Sequence, residues 1–285
     1  MAKKAPAKKR TKKIETTVAP PSSLHLPVPA VPSAVATLGN MEALAGCGLE
    51  DVSADDYAIP FVRILQPLSP QVVQETVEDA EAGDIIETAT NSLYSEINVI
   101  PCAFKRHYIE WKPRELGGGF VQSYEIGDPV IQTAVRKGNK DILPNDNELQ
   151  NTSEFYCLLD SDGMWMPVVI SMTATQLKRG RRWLTMMQKQ KMTSADGKRT
   201  FTPPTFAYSY TLKTLSESNN AGTWWSWDIG KAQAVSGEEL FKQAQNFSLS
   251  VKGGEVKTQD ESGTEDYKDS KAGFSPETGD KDIPF

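Results

Sequence analysis

The sequence predicts a mainly β fold with few helices. From about residue 57 to residue 233, runs rich in Val, Ile, Phe, Tyr and Trp are separated by clusters of Gly, Pro, Asn and Asp, which is the pattern of strands and turns. One long segment is helical in composition instead. Several strands, a helix, two strands and a short helix is the order of an OB-fold-like five-stranded barrel, partly open, with its helix between the third and fourth strands. The long early strands would be elaborations on it, and a β-sandwich with one helix is the alternative.

The strands follow from the apolar runs and the turns between them. The predicted strand regions are, in chain order, 57–66, 83–96, 97–114, 117–124, 152–172, 205–216 and 222–233. A turn at Asn91 and Ser92 divides the second region, and the third region ends at Pro113. In the fifth region, the residues DSDG at 160–163 form the turn of a hairpin between two apolar runs.

Two helices are predicted in the domain, each with a candidate N-cap. The first spans residues 173–192 and begins at Thr173. The apolar residues that helical spacing places near one of its faces are Leu177, Leu184 and Met187. The second spans residues 236–247, begins at Ser236 and closes the domain. A further short helix is predicted within residues 41–57, ahead of the β region.

The composition changes at both ends of the β region. Residues 1–50 are predicted to be a disordered arm, because Lys, Ala, Pro and small residues follow one another there without a period. Residues 51–250 form the OB-like domain, and residues 251–285 form an acidic disordered tail. The first 13 residues carry seven Lys or Arg and no acid, whereas residues 255–285 carry nine acids and four Lys. A net charge of −6 would argue against nucleic acid if it were spread evenly along the chain. Because the basic and acidic residues are separated at the two ends, the charge instead points to nucleic acid or another charged partner.

The residues that build catalytic and metal sites are scarce. The cysteines Cys47, Cys102 and Cys157 lie far apart, and His25 and His107 are the two histidines. Neither a zinc site nor a disulfide framework is expected, and no phosphate-binding loop, nucleophile elbow or His-Glu-x-x-His motif occurs. We therefore predict no enzyme activity, no metal and no cofactor. No apolar run matches a membrane span and no secretory signal is present, so a cytoplasmic protein is expected.

Basic residues interleaved with aromatic residues are the strongest functional signal. Residues 178–213 contain nine Lys or Arg and one acid, Asp196, and residues 104–114 hold a second basic cluster. Binding of single strands without sequence preference needs cations that follow the phosphates and flat side chains on which bases stack. The predicted DNA-binding residues are therefore Lys105, Arg106, Tyr108, Trp111, Lys112, Arg114, Lys178, Arg179, Arg181, Arg182, Trp183, Lys198, Arg199, Phe206, Tyr208, Tyr210 and Trp224.

The same residues also have a structural interpretation. Aromatic residues that alternate along a strand, such as Phe206, Tyr208 and Tyr210, are typical of a core face. Trp224 is then the exposed candidate, because it lies on the face opposite its aromatic neighbours. The run KRGRRW can be the solvated face of a helix, although acids that would offset its charge are absent. In the second cluster, strand alternation places Phe104, Arg106 and Tyr108 on one face and Lys105, His107, Ile109 and Trp111 on the other.

The sequence ends in the residues DIPF after an acidic tail. This end resembles the tip of bacterial single-stranded DNA-binding proteins, whose acidic tails end in the same way, and phage versions of such proteins also carry acidic tails. The resemblance covers the tail alone, and Lys281 stands where the family usually has an acid. It implies an OB domain that holds the strand and a tip that recruits replication, recombination or repair proteins. The residues of this partner-docking tip are Asp280, Asp282, Ile283, Pro284 and Phe285.

These observations together predict a phage-type single-stranded DNA-binding protein without enzyme activity. It would coat and protect single-stranded DNA through a basic and aromatic groove, alone or as a homo-oligomer, and recruit partners through its tip. One alternative is an adaptor that uses the tip to capture host replication proteins without holding DNA. Another is a recombination protein that anneals complementary strands.

Overall fold

The computed structural model describes residues 58–219 and 222–258, together with Leu44, Cys47, Gly48, Glu50 and Asp51. The chain divides into two compact units, residues 1–51 and 52–285, and every helix and strand among the described residues lies in the second unit. The predicted basic arm, most of the short helix predicted within 41–57 and the tail from residue 259 lie outside the described residues. The predictions for these segments, and the two domain boundaries, therefore stay predictions.

Fifteen short and long strands and four helices make up the described part of the chain. The strands are β1 (Ala58–Ile59), β2 (Val62–Ile64), β3 (Ile85–Glu87), β4 (Leu93–Tyr94), β5 (Glu96–Trp111), β6 (Phe120–Glu125), β7 (Val135–Lys137), β8 (Lys140–Ile142), β9 (Glu148–Ser161), β10 (Met164–Thr173), β11 (Met192–Thr193), β12 (Thr200–Phe201), β13 (Tyr208–Asn219), β14 (Gly222–Ala234) and β15 (Lys257–Thr258). The helices are α1 (Pro70–Val73), α2 (Pro129–Thr133), α3 (Leu177–Lys189) and α4 (Glu238–Gly253), with 3-10 turns at Arg114–Leu116, Ala174–Gln176 and Thr205–Ala207.

Five long antiparallel strands form the centre of the fold, in the order β14–β13–β5–β9–β10. Along the chain, α3 lies between the third of these strands, β10, and the fourth, β13, which is the order that the sequence predicts. The predicted class, mainly β with few helices, is confirmed. Within the described residues β14 does not pair with β10, so strand pairing does not close a barrel.

The segment from Pro60 to Gln66 lies at the open side of the sheet and contacts both end strands. The Val169 N–H of β10 donates to the Pro60 carbonyl at 2.9 Å. On the other side, the Gln66 side chain accepts from the Trp225 N–H of β14 and donates to the Trp225 carbonyl, both at 2.9 Å. The amide side chain thus pairs the edge of β14 as a strand would. Pro60 divides the strand predicted over 57–66 into β1 and β2, because proline has no N–H to donate.

The core lies inside the curved sheet, where α3 packs against it. Trp183 of α3 stacks on Phe155 of β9 with ring centroids 4.5 Å apart, and it meets Tyr210 of β13 edge-on at 5.8 Å. Gly180 permits this close approach, because a Cβ there would come within 3.3 Å of both Phe155 and Met172. The same core includes Val99, Cys157, Leu159, Ile170, Leu212, Trp227 and Ile229. One face of α3 is therefore fixed against the sheet, and its opposite face is left to solvent.

Helix α4 covers the outer face of the sheet over β5, β9 and β10. The residues buried on this side are Phe61, Ile100, Cys102, Tyr156, Leu158, Val169, Ala244 and Val251. Strand β9 is consequently buried on both faces, which explains its uninterrupted apolar run FYCLL at 155–159. In OB folds, the surface of the second and third strands is one that binds oligonucleotides. Here α4 occupies part of the corresponding surface.

Both helices predicted in the domain exist, but their ends differ from the prediction. Thr173 has an extended backbone and makes no side-chain cap, because a 3-10 turn separates it from α3. Helix α3 ends at Lys189, three residues early. Helix α4 follows Gly237, with φ of 101°, rather than being capped by Ser236, and it continues to Gly253. The turn predicted at 160–163 is present between β9 and β10.

The excursion between β5 and β9, residues 112–147, contains β6, α2, β7 and β8 and is anchored by a buried carboxylate. Glu110 is 2% exposed and accepts hydrogen bonds from the Tyr124 hydroxyl at 2.5 Å, from Asn145 Nδ2 at 2.7 Å and from Asn147 Nδ2. Burial raises the pKa of Glu110, but the three donors outweigh burial, so the pKa lies below the ordinary glutamate value. The elements α2, β7 and β8 were not predicted from the sequence.

Candidate nucleic-acid interface

The solvent side of α3 carries a stripe of four cations, which we call the α3 stripe: Lys178, Arg181, Arg182 and Lys189. At 3.6 residues per turn, Lys178, Arg182 and Lys189 fall within about 40° of one another, and Arg181 falls about 60° to one side. All four side chains are exposed. Among the described residues, none of them has a hydrogen-bond or ion-pair partner. The stripe is therefore a concentrated and uncompensated positive charge.

The hairpin that follows α3 extends this positive surface, and we call it the basic hairpin. Strands β11 and β12 pair Met192 with Phe201, and both side chains are exposed, by 44% and 45%. The exposed cations on and beside the hairpin are Lys191, Lys198 and Arg199. Its single acid, Asp196, accepts from the Ser194 hydroxyl and from the Lys198 N–H, and these two hydrogen bonds lower its pKa. Asp196 thus serves the turn and pairs with neither Lys198 Nζ nor the Arg199 guanidinium.

Three residues predicted to contact DNA instead make contacts within the protein, one in an ion pair and two in the core. The Arg179 guanidinium forms an ion pair with Glu217 of β13, with side chains 19% and 30% exposed. Trp183 and Tyr210 are both 0% exposed, because α3 and β13 turn these rings into the core. Neither ring can stack on a base, so their assignment to the interface is corrected here. The core interpretation of the aromatic stripe is right for Tyr210.

The other three aromatic candidates near β13 and β14 are half-buried. Phe206 lies in a 3-10 turn ahead of β13, where its ring packs on Phe241 at 5.2 Å, so it does not share the strand alternation. Tyr208 packs against the edge of the core. Trp224 lies opposite Glu217 in the β13–β14 hairpin. Each of these rings keeps some surface, but none is as open as Phe201.

The second basic cluster lies where β5 and β9 run from the core, at Phe155, to the end of β5, and we call residues 104–111 with 148–155 the distal ribbon. Its register confirms the predicted alternation. On one face, Arg106 pairs with Ser153 and Tyr108 with Asn151. On the other face, the opposed residues are Lys105 and Glu154, His107 and Thr152, Ile109 and Gln150, and Trp111 and Glu148.

The charged side chains of the distal ribbon are largely engaged. Arg106 Nε donates to Asn151 Oδ1 at 3.2 Å, and Asn151 Nδ2 donates to the Tyr108 hydroxyl at 3.2 Å. The Lys105 ammonium lies 5.3 Å from the centre of the Tyr156 ring, and the Tyr156 hydroxyl donates to the buried Glu154 at 3.0 Å. Both cations of the ribbon thus contact groups of the protein itself, Arg106 the Asn151 amide and Lys105 the Tyr156 ring.

The end of the ribbon differs from its middle. Trp111 is half-buried and meets Phe120 of β6 edge-on at 6.0 Å. Lys112 is exposed, and no partner is found for its ammonium among the described residues. Arg114 lies in the following 3-10 turn. Trp111, at the end of the ribbon, and Lys112, directly after it, are thus open to a ligand.

Three residues of this basic surface, Lys189, Lys191 and Phe201, were not among the predicted DNA contacts, although they lie in the basic stretch 178–213. The signal was available for Lys189, because it repeats the phase of Lys178 at eleven residues, or three helical turns. Phe201 lies in β12, a short strand that was not predicted from the sequence, and the cations Lys198 and Arg199 come just before this strand.

The predicted partner-docking tip stays a prediction. The tip residues Asp280, Asp282, Ile283, Pro284 and Phe285 lie outside the described residues. Among the residues that are described, no three His, Cys, Asp or Glu side chains are grouped so that they could hold a metal ion. In the same part of the chain, no helix has the length and apolar character that crossing a membrane requires.

Comparison with known proteins places the chain in one family. The family model of the Pam3 phage gp34-like protein matches residues 30–257, a range that contains β1 to β14 and all four helices. Comparisons with curated proteins and with solved structures found no match. The matched range covers most of the 285 residues. The chain therefore belongs to the Pam3 phage gp34-like protein family.

Proposed function

We propose that this phage-family protein binds single-stranded DNA, without catalysing a reaction, and that it holds the phosphates along the α3 stripe and the basic hairpin. The observation that carries the proposal is the set of four exposed cations on one face of α3, none of which has a partner in the described residues. Cations that a fold leaves unpaired are available to phosphates without first breaking an internal ion pair.

Exposed rings beside these cations favour a single strand over a duplex. Phe201 is 45% exposed on the basic hairpin, and Phe104 is 37% exposed on the distal ribbon. The Phe104 ring lies 5.1 Å from Phe155, which itself packs against Gly180 of α3. Phe104 therefore lies on the side of the sheet against which α3 packs, and we propose that the bound strand passes from the α3 stripe onto the distal ribbon. Rings at the surface gain little from paired bases, whereas unpaired bases can stack on them.

A salt titration of binding to a labelled oligo(dT) tests the proposal, with a duplex of equal length as competitor. Four to six phosphate contacts predict a slope of about −3 to −4 for log K against log salt on single-stranded DNA. We expect the duplex to compete poorly and tryptophan fluorescence to be quenched. Absence of binding at low salt, or equal binding to the duplex, would contradict the proposal.

We also propose that the DIPF tip recruits a host replication, recombination or repair protein, which supports the coating function and also fits the adaptor alternative. A terminal Phe ring suits an apolar pocket, with Asp280 and Asp282 steering the approach to a basic rim. Cross-linking from the full chain in extracts of infected cells, compared with Phe285→Ala, tests this role. Loss of one such partner in the variant is expected, and capture of the same partners by both proteins contradicts it.

A further inference from the structure

A cavity of about 740 Å³ opens at the end of the distal ribbon. Its walls come from the end of β5, from the glycine-containing turn after β5 and from β8 and β9. The lining includes Trp111, Lys112, Gly118, Gly119, Ile142 and Gln150, with the acids Glu115, Asp146 and Glu148 beside them. The volume is that of a small-molecule site rather than of a packing defect.

The floor of the cavity is a flat row across three strands. Trp111 of β5 is paired with Glu148 of β9, and Glu148 is paired with Ile142 of β8. Paired residues point to the same face, and neighbouring strands lie about 4.8 Å apart, so the row is about 10 Å wide. Gln150 lies one step along the same face. Phe120 supports the Trp111 ring edge-on, which fixes the orientation of the indole.

The rim of the cavity is a turn held by two backbone hydrogen bonds of its own. The Lys112 N–H donates to the Gly119 carbonyl at 2.9 Å, and the Gly118 N–H donates to the Pro113 carbonyl at 3.0 Å. Gly118 and Gly119 have φ of 64° and 114°, and no atom of the described residues lies within 4 Å of where a Cβ would be. The two glycines thus shape the turn and leave the mouth of the cavity clear.

The charges around the cavity favour a neutral ligand inside and a phosphate outside. Lys140 Nζ bonds the Glu148 carboxylate at 2.6 Å, which neutralises the floor. Glu115 and Asp146 on the walls repel an anion. The Lys112 ammonium is exposed, and the Gln150 amide, which can both donate and accept, has no hydrogen-bond partner among the described residues.

We propose that this cavity receives one nucleobase of the bound single strand, an inference that rests on the proposed function. The base stacks on Trp111, its edge hydrogen-bonds to the Gln150 amide, and the adjoining phosphate meets Lys112. A flat aromatic platform with an amide at its edge and a cation outside matches a nucleotide better than an apolar molecule. The cavity thereby adds a base-selective contact to binding that is otherwise nonspecific.

Photo-cross-linking of the full chain to an oligonucleotide carrying 5-iododeoxyuridine tests the inference, with the cross-link mapped by mass spectrometry. We expect a cross-link at Trp111 and a loss of affinity of about 5- to 150-fold in Trp111→Leu, the effect of one stacked base. Trp165→Leu is the matched control, because Trp165 packs beside α4 on a different part of the sheet. It should change neither the cross-link nor the affinity.

Gln150→Ala keeps the inference testable if Trp111→Leu fails to fold. Within residues 58–219 and 222–258 the Gln150 side chain makes no hydrogen bond that stabilises the ribbon, so this variant should keep the wild-type Tm. It should change the ratio of affinities for oligo(dC) and oligo(dT) by several-fold, because the amide reads the base edge.

The outcomes separate this inference from the proposed function. If the wild-type chain binds single strands, but cross-links map elsewhere and both variants bind like wild type, the cavity is not a base site and the proposed function stands. If the wild-type chain binds no strand, the proposed function fails, and the cavity assignment fails with it.

Discussion

The α3 surface and the distal ribbon are both basic and aromatic in sequence, yet they differ in what the fold does with their charges. On α3, Lys178, Arg181, Arg182 and Lys189 point to solvent and have no partner in the part of the chain that the structure describes. On the ribbon, each cation lies on β5 next to β9, and β9 supplies the Asn151 amide as an acceptor for Arg106 and the Tyr156 ring beside Lys105. Cross-strand neighbours are about 5 Å apart, so a sheet tends to pair its own charges. A helix stripe has no such neighbour, and its charge stays available.

The aromatic residues show the reverse difference. On α3, the ring that sequence places among the cations, Trp183, is fully buried. On the ribbon, Phe104 is 37% exposed, and Trp111 opens onto a cavity. We infer that the helix supplies cations and the ribbon supplies rings. A single strand that used both would have to cross from one to the other.

The largest effect is expected from removing the buried ring of α3. Trp183→Ala should lower the free energy of unfolding by about 3–5 kcal/mol, because it leaves a cavity beside Phe155 and Tyr210. Denaturant titration measures this loss. Trp224→Ala, at a half-buried position in the β13–β14 hairpin, is the matched control and should cost clearly less. Equal losses would mean that Trp183 is not part of the core.

The next effect is a loss of DNA affinity that depends on which surface is changed. Reversing Arg181 and Arg182 to Glu should weaken oligo(dT) binding at low salt by more than about tenfold, since unpaired cations meet the phosphates directly. Reversing Lys105 and Arg106 should weaken it less, because Arg106 is already engaged with Asn151. Fluorescence titration of both double variants gives the comparison. A larger loss of affinity in the ribbon variant would show that the ribbon, and not the α3 stripe, holds the phosphates.

A smaller effect concerns the stability of the ribbon and its pH dependence. Glu110→Gln should cost about 1–3 kcal/mol, because the carboxylate accepts three hydrogen bonds in a buried site. The folded pKa of Glu110 lies below the ordinary value, so its contribution is complete above the unfolded pKa. The contribution is lost as pH falls through the folded pKa.

Denaturation midpoints measured from pH 7 down to pH 3 follow this contribution. Wild type should lose stability over the acid range more steeply than Glu110→Gln, which has no carboxylate to protonate. Parallel pH profiles for the two proteins would show that Glu110 does not anchor the excursion.

The smallest effect is expected from the acidic end of the sequence. Deleting residues 276–285 should tighten oligo(dT) binding a few-fold at low salt, because the tail would otherwise compete for the α3 stripe. The gain should fade near 1 M salt, where the Debye length is about 3 Å. Titrations at both salt concentrations test this, and unchanged affinity at low salt counts against competition by the tail.

The parts of the fold that depend on local chemistry were predictable. The β9–β10 turn, DSDG, has φ of 52° at Asp162 and 86° at Gly163, the pair of positive angles that a tight hairpin needs. The order of the five long strands around α3 also follows from the pattern of apolar runs. What was not predictable depends on contacts between distant segments. The residues of the excursion, 112–147, have no strong period, and they are held by hydrogen bonds to Glu110, which precedes them.

In the candidate site too, local sequence predicts some features, and contacts between distant segments decide the others. Helical phase alone predicts that Lys178 and Arg182 share a face. It does not say that Trp183 faces the sheet, because that depends on Phe155, almost thirty residues earlier, and on the absence of a side chain at Gly180. Nor does it say that Arg179 is held by Glu217, which lies on β13. Charge patterns locate a basic surface, and the tertiary partners decide which of its charges are free.

The most direct test of the central claim is the salt dependence of oligo(dT) binding for three proteins: wild type, Lys178→Ala with Arg182→Ala, and Lys105→Ala with Arg106→Ala. We expect the α3 variant to lose about 1.4 from the magnitude of the slope, or about 0.7 for each lost phosphate contact. The ribbon variant should keep a slope close to that of wild type. An unchanged slope in the α3 variant, or a larger loss in the ribbon variant, would contradict the claim that the α3 stripe holds the phosphates.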